Sequence, residues 1–80
     1  MEKELILRGL VDTDETELEI CAWRKKAGER FEPGEIIVEI IAGKENAEVA
    51  LDAGGTLKQV LKDECEIVSL DDPIAILDMD

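Results

Sequence analysis

Lys44 is the residue whose surroundings in this 80-residue sequence best suit covalent chemistry. It lies between two stretches with strand character, in a predicted turn of about five residues from Ala42 to Asn46. Gly43 can adopt a positive φ there, and Asn46 can take a left-handed conformation or bond back to the turn backbone. A lysine so placed projects its amine away from the protein, where an enzyme could acylate it. On spacing alone, however, the simpler interpretation is a solvated turn lysine.

Other kinds of catalytic or ligand site have little support in the sequence. Histidine is absent, which removes Ser-His and Cys-His catalysis and the commonest metal ligand. Residues 12–16 resemble the start of a calcium loop, but the positions that require Gly and Glu hold Glu17 and Trp23. Cys21 and Cys65 lack metal-type spacing. Without a signal-peptide pattern they are predicted to be free thiols, with a disulfide as the alternative.

Length and charge predict a single small domain, residues 1–80, with a strongly acidic surface. Nine basic and 21 acidic residues give a net charge of −12. Such a surface repels phosphate backbones and anionic lipids, so neither nucleic acid nor a membrane is an expected partner. No apolar run approaches the ~20 residues of a membrane helix. Residues 1–10 lack a signal-peptide pattern, and we therefore expect a cytoplasmic location.

The hydrophobic pattern has the period of β-strands. Leu57, Val60 and Leu61 also fall at helical spacing, but the preceding Gly54-Gly55 favours a strand. Short strands with closely spaced turns are typical of an all-β sandwich or barrel. The candidate strands cover residues 18–23, 36–41, 47–51, 57–60 and 73–77.

An internal repeat organises these strands. A shift of 37 residues places Trp23 on Val60 and Phe31 on Val68, and the later apolar positions match as well. Each half then contains a strand, a charged turn, a short strand, a tight turn and a longer strand. Because neither half could bury its apolar face alone, we expect the two to pack face to face. The predicted fold is a flattened β-barrel or sandwich of two antiparallel sheets with quasi-two-fold symmetry.

In this order, the motifs resemble those of lipoyl domains in the biotinyl/lipoyl attachment family. The resemblance covers most of the chain, from about Glu17 to Leu77, and implies the same all-β fold with its modified lysine at an exposed hairpin. The matching residues are Trp23, Gly28-Glu29, Phe31, Pro33-Gly34-Glu35, Val38-Glu39-Ile40, Lys44, Ala47-Glu48-Val49, Gly55-Thr56-Leu57, Glu64 with Glu66, and Pro73-Ile74-Ala75.

The resemblance implies a carrier without catalytic residues of its own, rather than an enzyme. Lipoate would be attached covalently to Lys44, with Gly43, Glu45 and Asn46 supporting the hairpin. This swinging arm would shuttle acyl or aminomethyl groups between the enzymes of a 2-oxo acid dehydrogenase-type complex. The implied partners are a lipoyl ligase, a 2-oxo acid decarboxylase, an acyltransferase and dihydrolipoyl dehydrogenase.

The loop after the first strand is the implied recognition element of such a carrier. Asp12, Asp14 and Glu15 would there help partner enzymes to recognise their substrate, and the alternative is a plain solvated acidic loop.

Two other functions remain open at the sequence level. Lipoyl domains usually have Asp before the lysine and Ala after it, whereas this chain has Gly43 and Glu45. These departures motivate an unmodified lipoyl-like module for protein interaction or structure. A biotin carboxyl carrier is the other alternative, although the methionines that flank a biotinylated lysine are absent.

Overall fold

Eight β-strands form the regular structure of the protein, and the computed structural model describes all 80 residues. No helix is long and apolar enough to cross a membrane. The predicted all-β class is confirmed. The strands are β1 (Glu2–Leu5), β2 (Leu18–Trp23), β3 (Arg30–Phe31), β4 (Ile36–Ala42), β5 (Glu45–Ala50), β6 (Gly55–Val60), β7 (Ile67–Val68) and β8 (Ala75–Met79).

The strands form two antiparallel four-stranded sheets, in the orders β1-β8-β6-β3 and β5-β4-β2-β7. Apolar residues point inward from both sheets and, together with Leu7, Val11 and Ile74 of the connections, form one core of 16 buried hydrophobic residues. No polar or charged residue is buried. The predicted pair of sheets is confirmed, but they do not close into a true barrel, because no ladder joins an edge strand of one sheet to the other.

The internal repeat is also confirmed, as a quasi-two-fold symmetry. A shift of 37 residues superposes the bounds of β2 on those of β6 and the bounds of β3 on those of β7. Backbone hydrogen bonds repeat with the strands. Gly28 N donates to Leu57 O at 2.6 Å, and the equivalent Cys65 N donates to Ile20 O at 2.7 Å. The strand orders of the two sheets correspond in the same way, with β8, β6 and β3 of one sheet equivalent to β4, β2 and β7 of the other.

Each of the strands β2 and β6 carries a β-bulge at the equivalent position. The register shifts at Cys21 in β2, against β4, and at Lys58 in β6, against β8. A bulge adds one residue to its strand and interrupts the period of two. The bulge explains why Leu57, Val60 and Leu61 fall at helical spacing although Leu57 and Val60 lie within strand β6 and Leu61 directly follows it.

The two ends of the chain differ most from the predicted strands. The predicted set does not include β1, because only Leu5 of its four residues is buried and the other three are exposed. Charged side chains on such an edge strand discourage pairing with further chains. The last strand begins at Ala75 and reaches Met79, two residues later at each end than predicted, because Asp78 and Met79 pair with Thr56 and Gly55 of β6.

We predict that Cys65→Gly will stabilise the protein. Cys65 has a φ of 72°, and its symmetry equivalent, Gly28, has a φ of 95°. Relief of left-handed strain exceeds the entropy that glycine adds to the unfolded chain, so the free energy of unfolding should rise by ~0.5 kcal/mol. Urea denaturation under reducing conditions measures this change. Cys65→Ala is the control, since it removes the thiol but keeps the strain; equal gains from both variants would contradict the explanation.

Candidate functional site

Lys44 is the second residue of a two-residue turn that joins β4 to β5. Ala42 pairs with Glu45 across the turn, so only Gly43 and Lys44 lie outside the ladder. Gly43 has a φ of 65°, and Lys44 is not among the residues of positive φ. These are the signs of a type II′ turn, which fits the twist of the flanking strands and prefers glycine first. The predicted exposed hairpin is therefore present.

The predicted turn of about five residues is too long. Ala42 and Glu45 belong to the strands, and Asn46 pairs with Ile41. Of the two alternatives for Asn46, the left-handed conformation is therefore wrong, and Gly43 alone supplies the positive φ. The reason is that β5 is an edge strand whose first two residues are exposed and polar, a composition that resembles a turn.

The Lys44 side chain is exposed and takes part in no ion pair of the structure. Lys25 and Lys58, by contrast, are paired with Glu35 and Glu2. The amine of Lys44 is thus open to solvent at the tip of a two-residue turn. A modifying enzyme can reach it without first breaking an ion pair.

Residues 12–15, which we call the acidic loop, face this hairpin. The loop and the hairpin together line an open groove of about 650 Å³. Asp12, Asp14 and Glu15, the residues predicted to serve partner recognition, line the same groove as the lysine turn, and their part in recognition stays a prediction. The groove-lining residues are Asp12, Thr13, Asp14, Glu15, Ala42, Gly43, Lys44 and Glu45.

The Glu15 side chain lies directly over the turn. A Cβ built on Gly43 would come within 2.7 Å of Glu15 Oε1. Glu15 is held in part by its own backbone N–H, which donates to Thr13 Oγ1 at 3.1 Å. Glycine at position 43 therefore satisfies two needs: the positive φ of the turn, and the space that the acidic loop occupies.

The acidic loop is anchored where its chain leaves β1. Leu7 and Val11 are buried in the core. The backbone N–H groups of Leu7 and Arg8 both donate to Leu70 O, at 3.1 and 3.0 Å. The Arg8 guanidinium also donates two hydrogen bonds to Asp71, at 2.6 and 2.8 Å. Sequence reasoning missed this anchor, although Leu7 and Val11 were a visible apolar signal within a charged segment.

The ion pair between Arg8 and Asp71 is expected to make the stability of the protein depend on pH. Hydrogen bonds from Arg8, aided by its charge, hold the pKa of the Asp71 carboxyl below its ordinary value. The pair's stabilising effect should be complete above the ordinary aspartate pKa and be lost as pH falls through the lowered value. An NMR titration of the Asp71 carboxyl carbon tests this, and Arg8→Gln should return the pKa to its ordinary value. An unchanged pKa in that variant would contradict the assignment.

Comparison with known sequences finds one family whose sequence model matches. It is the family described as "Biotin-requiring enzyme", the biotin/lipoyl attachment type, and the match covers residues 11–77. The matched region contains both the acidic loop and the lysine hairpin.

Two curated relatives contain a region similar to this chain. The dihydrolipoyllysine-residue acetyltransferase component of the mitochondrial pyruvate dehydrogenase complex of Neurospora crassa is 44% identical over 59 residues, which cover 72% of this chain and 13% of that protein. The dihydrolipoyllysine-residue succinyltransferase component of the 2-oxoglutarate dehydrogenase complex of Staphylococcus saprophyticus is 36% identical over 62 residues, covering 78% and 15%. The chain thus spans only about a seventh of the length of these relatives.

A solved structure supports the fold independently. The solution structure of the lipoyl domain of the 2-oxoglutarate dehydrogenase complex from Azotobacter vinelandii superposes with a TM-score of 0.73 and 23% sequence identity. The superposition covers 96% of this chain and 94% of that one. The two chains therefore share their architecture over nearly their whole length.

Proposed function

The chain belongs to the biotinyl/lipoyl attachment family, and from this we propose that it is a lipoyl carrier whose cofactor is attached to Lys44. The proposal makes the chain a substrate of other enzymes, with no catalytic residues of its own. The observation that carries it is the hairpin: Lys44 is exposed, without an ion pair, in the two-residue turn that the matched region presents beside the acidic loop.

The turn suits a long, mobile arm. Attachment joins Lys44 Nζ to the lipoate carboxyl in an amide, driven by the ATP that the ligase consumes. When bound, lipoate supplies a dithiolane that undergoes reductive acylation. The protein's residues hold the attachment point: the β4–β5 ladder fixes the turn, and Gly43 gives it a tight path. Tethering keeps the reactive group at high local concentration near each partner enzyme.

The other lysines suit this role less well. Lys3 is in β1 and Lys58 is in β6, so neither is at the tip of a hairpin. Lys25 is largely covered and paired with Glu35. Lys26 is exposed, but it lies in the connection between β2 and β3, and Lys62 is half-buried in the connection between β6 and β7.

We propose the enzymes of a 2-oxo acid dehydrogenase-type complex as partners. A lipoyl ligase would load Lys44, and a decarboxylase, an acyltransferase and dihydrolipoyl dehydrogenase would use the arm in turn. The acidic loop supports specific recognition, because Asp12, Asp14 and Glu15 are exposed and line the groove that contains the lysine. A partner with a basic rim around its active-site entrance would complement this loop in charge.

Intact-mass measurement tests the proposal. The purified chain is incubated with a lipoyl ligase, ATP and lipoate, and an established lipoyl domain serves as the positive control. We expect the mass of one lipoyl group to be added to the chain. A chain that keeps its original mass while the control is modified would overturn the proposal and favour an unmodified interaction module. Modification by a biotin ligase in place of the lipoyl ligase would favour a biotin carrier.

A further inference from the structure

The two cysteines, 44 residues apart in sequence, meet at one place in the fold. Cys21 is the extra residue at the bulge of β2, where the ladder with β4 shifts register, and the same strand pairs with β7 through Leu18 and Glu19. Cys65 ends the turn between β6 and β7. Both are free thiols; Cys65 is exposed and Cys21 is half-buried.

A backbone hydrogen bond limits the distance between them. Cys65 N donates at 2.7 Å to Ile20 O, the carbonyl of the peptide that joins Ile20 to Cys21. The bond lengths and angles on either side of this contact then restrict the two α-carbons to at most ~7 Å from one another. Disulfides in proteins span α-carbon separations of roughly 4.4 to 6.8 Å. The upper limit on the α-carbon separation of Cys21 and Cys65 thus overlaps the range that a disulfide spans.

The internal symmetry sets this pair apart from its counterpart. Gly28 and Lys58 occupy the equivalent positions in the other half, where Gly28 N donates to Leu57 O. The two backbone segments therefore approach each other in both halves of the repeat, whereas only one half has cysteines at these positions. Cys65 also keeps a φ of 72° at a place where the other half has glycine. This chain therefore holds a thiol in a strained conformation that glycine adopts freely.

We propose that Cys21 and Cys65 form a reversible disulfide by exchange with low-molecular-weight disulfides such as oxidised glutathione. The thiolate of exposed Cys65 attacks one sulfur of oxidised glutathione, forming a mixed disulfide and releasing one glutathione thiolate. Cys21 loses its proton to solvent and attacks Cys65 Sγ, displacing the second glutathione. Two protein thiols lose two electrons, and one glutathione disulfide becomes two glutathione molecules.

This bridge would tie the β6–β7 turn to strand β2. The bridge closes a long chain segment, and β7 is an edge strand of only two residues. Restricting the unfolded chain in this way should raise Tm by ~10 °C. The bridge does not touch the β4–β5 turn, so the proposal stands apart from the modification of Lys44.

A glutathione redox titration of the reduced chain tests the proposal. Samples are equilibrated at a series of thiol-to-disulfide ratios, acid-quenched and alkylated, and their intact masses are measured. We expect a monomer lighter by two hydrogens and closed to alkylation, with only a minor mixed disulfide. A monomer carrying two glutathiones, or a disulfide-linked dimer, in place of the internal bridge would overturn the proposal.

Two controls show whether the fold brings the thiols together. Cys21→Ser and Cys65→Ser should each take up one glutathione and gain no Tm from oxidation. The same titration in concentrated urea gives the equilibrium constant for disulfide formation in the unfolded chain. The constant for the folded chain should be ~100-fold larger. An equal tendency in the folded and unfolded chains would contradict the inferred geometry.

Discussion

Replacing Lys44 by arginine is expected to abolish lipoate attachment and to leave the fold intact. Arginine keeps the positive charge and the length of the side chain, but its guanidinium cannot form the amide. The native Lys44 is exposed and without an ion pair, so its replacement breaks no salt bridge of the folded state. The modified fraction in the ligase assay should fall by at least ~100-fold, while Tm stays within ~1 °C of the original.

Lys26→Arg is the matched control for this experiment. Lys26 is also exposed, without an ion pair, and close to a turn that contains a positive-φ glycine. It differs from Lys44 in its position between β2 and β3, away from the acidic loop. The Lys26→Arg chain should be modified at the original rate. Continued modification of Lys44→Arg would show that another lysine accepts lipoate, and peptide mapping of the product would identify it.

A second substitution tests the conformation of the turn while the lysine amine is kept. Gly43→Ala keeps Lys44 but places a Cβ within 2.7 Å of Glu15 Oε1 and forces a non-glycine residue to a positive φ. We expect slower modification of a folded protein, because the turn must shift to relieve both conflicts. Gly43→Ala combined with Glu15→Ala should recover part of the loss, since it removes the contact and leaves the backbone strain. No recovery would assign the whole effect to the φ angle.

The sequence predicts much of this fold because the spacing of its apolar residues shows the two-residue period of β-strands. The buried residues of β2, β4, β6 and β8 lie mostly at alternate positions, whereas β5 buries only Val49, and the repeat at 37 residues relates β2 to β6 and β4 to β8. The position of Lys44 follows from two of these strands. Gly43 could be predicted as the residue of positive φ because only glycine adopts that conformation without strain.

The features that the sequence does not predict depend on contacts between distant segments. The strand β1 has one buried residue and is defined by its pairing with β8. The length of the lysine turn depends on the ladder across β4 and β5, which draws polar Asn46 into an edge strand. The anchor of the acidic loop needs Arg8 to meet Asp71, 63 residues later. The approach of Cys21 to Cys65 likewise depends on the backbone hydrogen bond from Cys65 N to Ile20 O, which joins segments far apart in sequence.

The largest effect on stability is expected from Phe31→Ala. Phe31 is the only phenylalanine of the chain and has no exposed surface. It is paired with Gly55, and a Cβ built on that glycine would lie 3.1 Å from Phe31 Cζ. The ring therefore covers the glycine and fills the space beside it. Alanine would leave a cavity that the neighbouring backbone of β6 cannot fill.

The expected loss is ~3–5 kcal/mol in the free energy of unfolding. At ~0.05–0.15 kcal/mol per residue, a domain of this size has a total stability of about the same order, so the variant should be largely unfolded near physiological temperature. Urea and thermal denaturation, followed by circular dichroism and by the fluorescence of Trp23, measure the change. Phe31→Leu keeps most of the apolar volume and should lose less than half as much.

Ile67→Ala is the matched control, because it shortens a large apolar side chain of the other two-residue strand. Ile67 is 57% exposed, so its truncation creates no cavity and should cost less than ~1 kcal/mol. The contrast tests whether the two-residue strands contribute through burial or only through their backbone pairing. If Phe31→Ala and Ile67→Ala lose the same stability, burial of the ring is not what holds β3 against the sheet. If the loss at Phe31 is several-fold larger, the short strand β3 serves mainly to place one aromatic ring between the two sheets. Folding of the lysine hairpin in the opposite sheet then depends on that ring through the shared core.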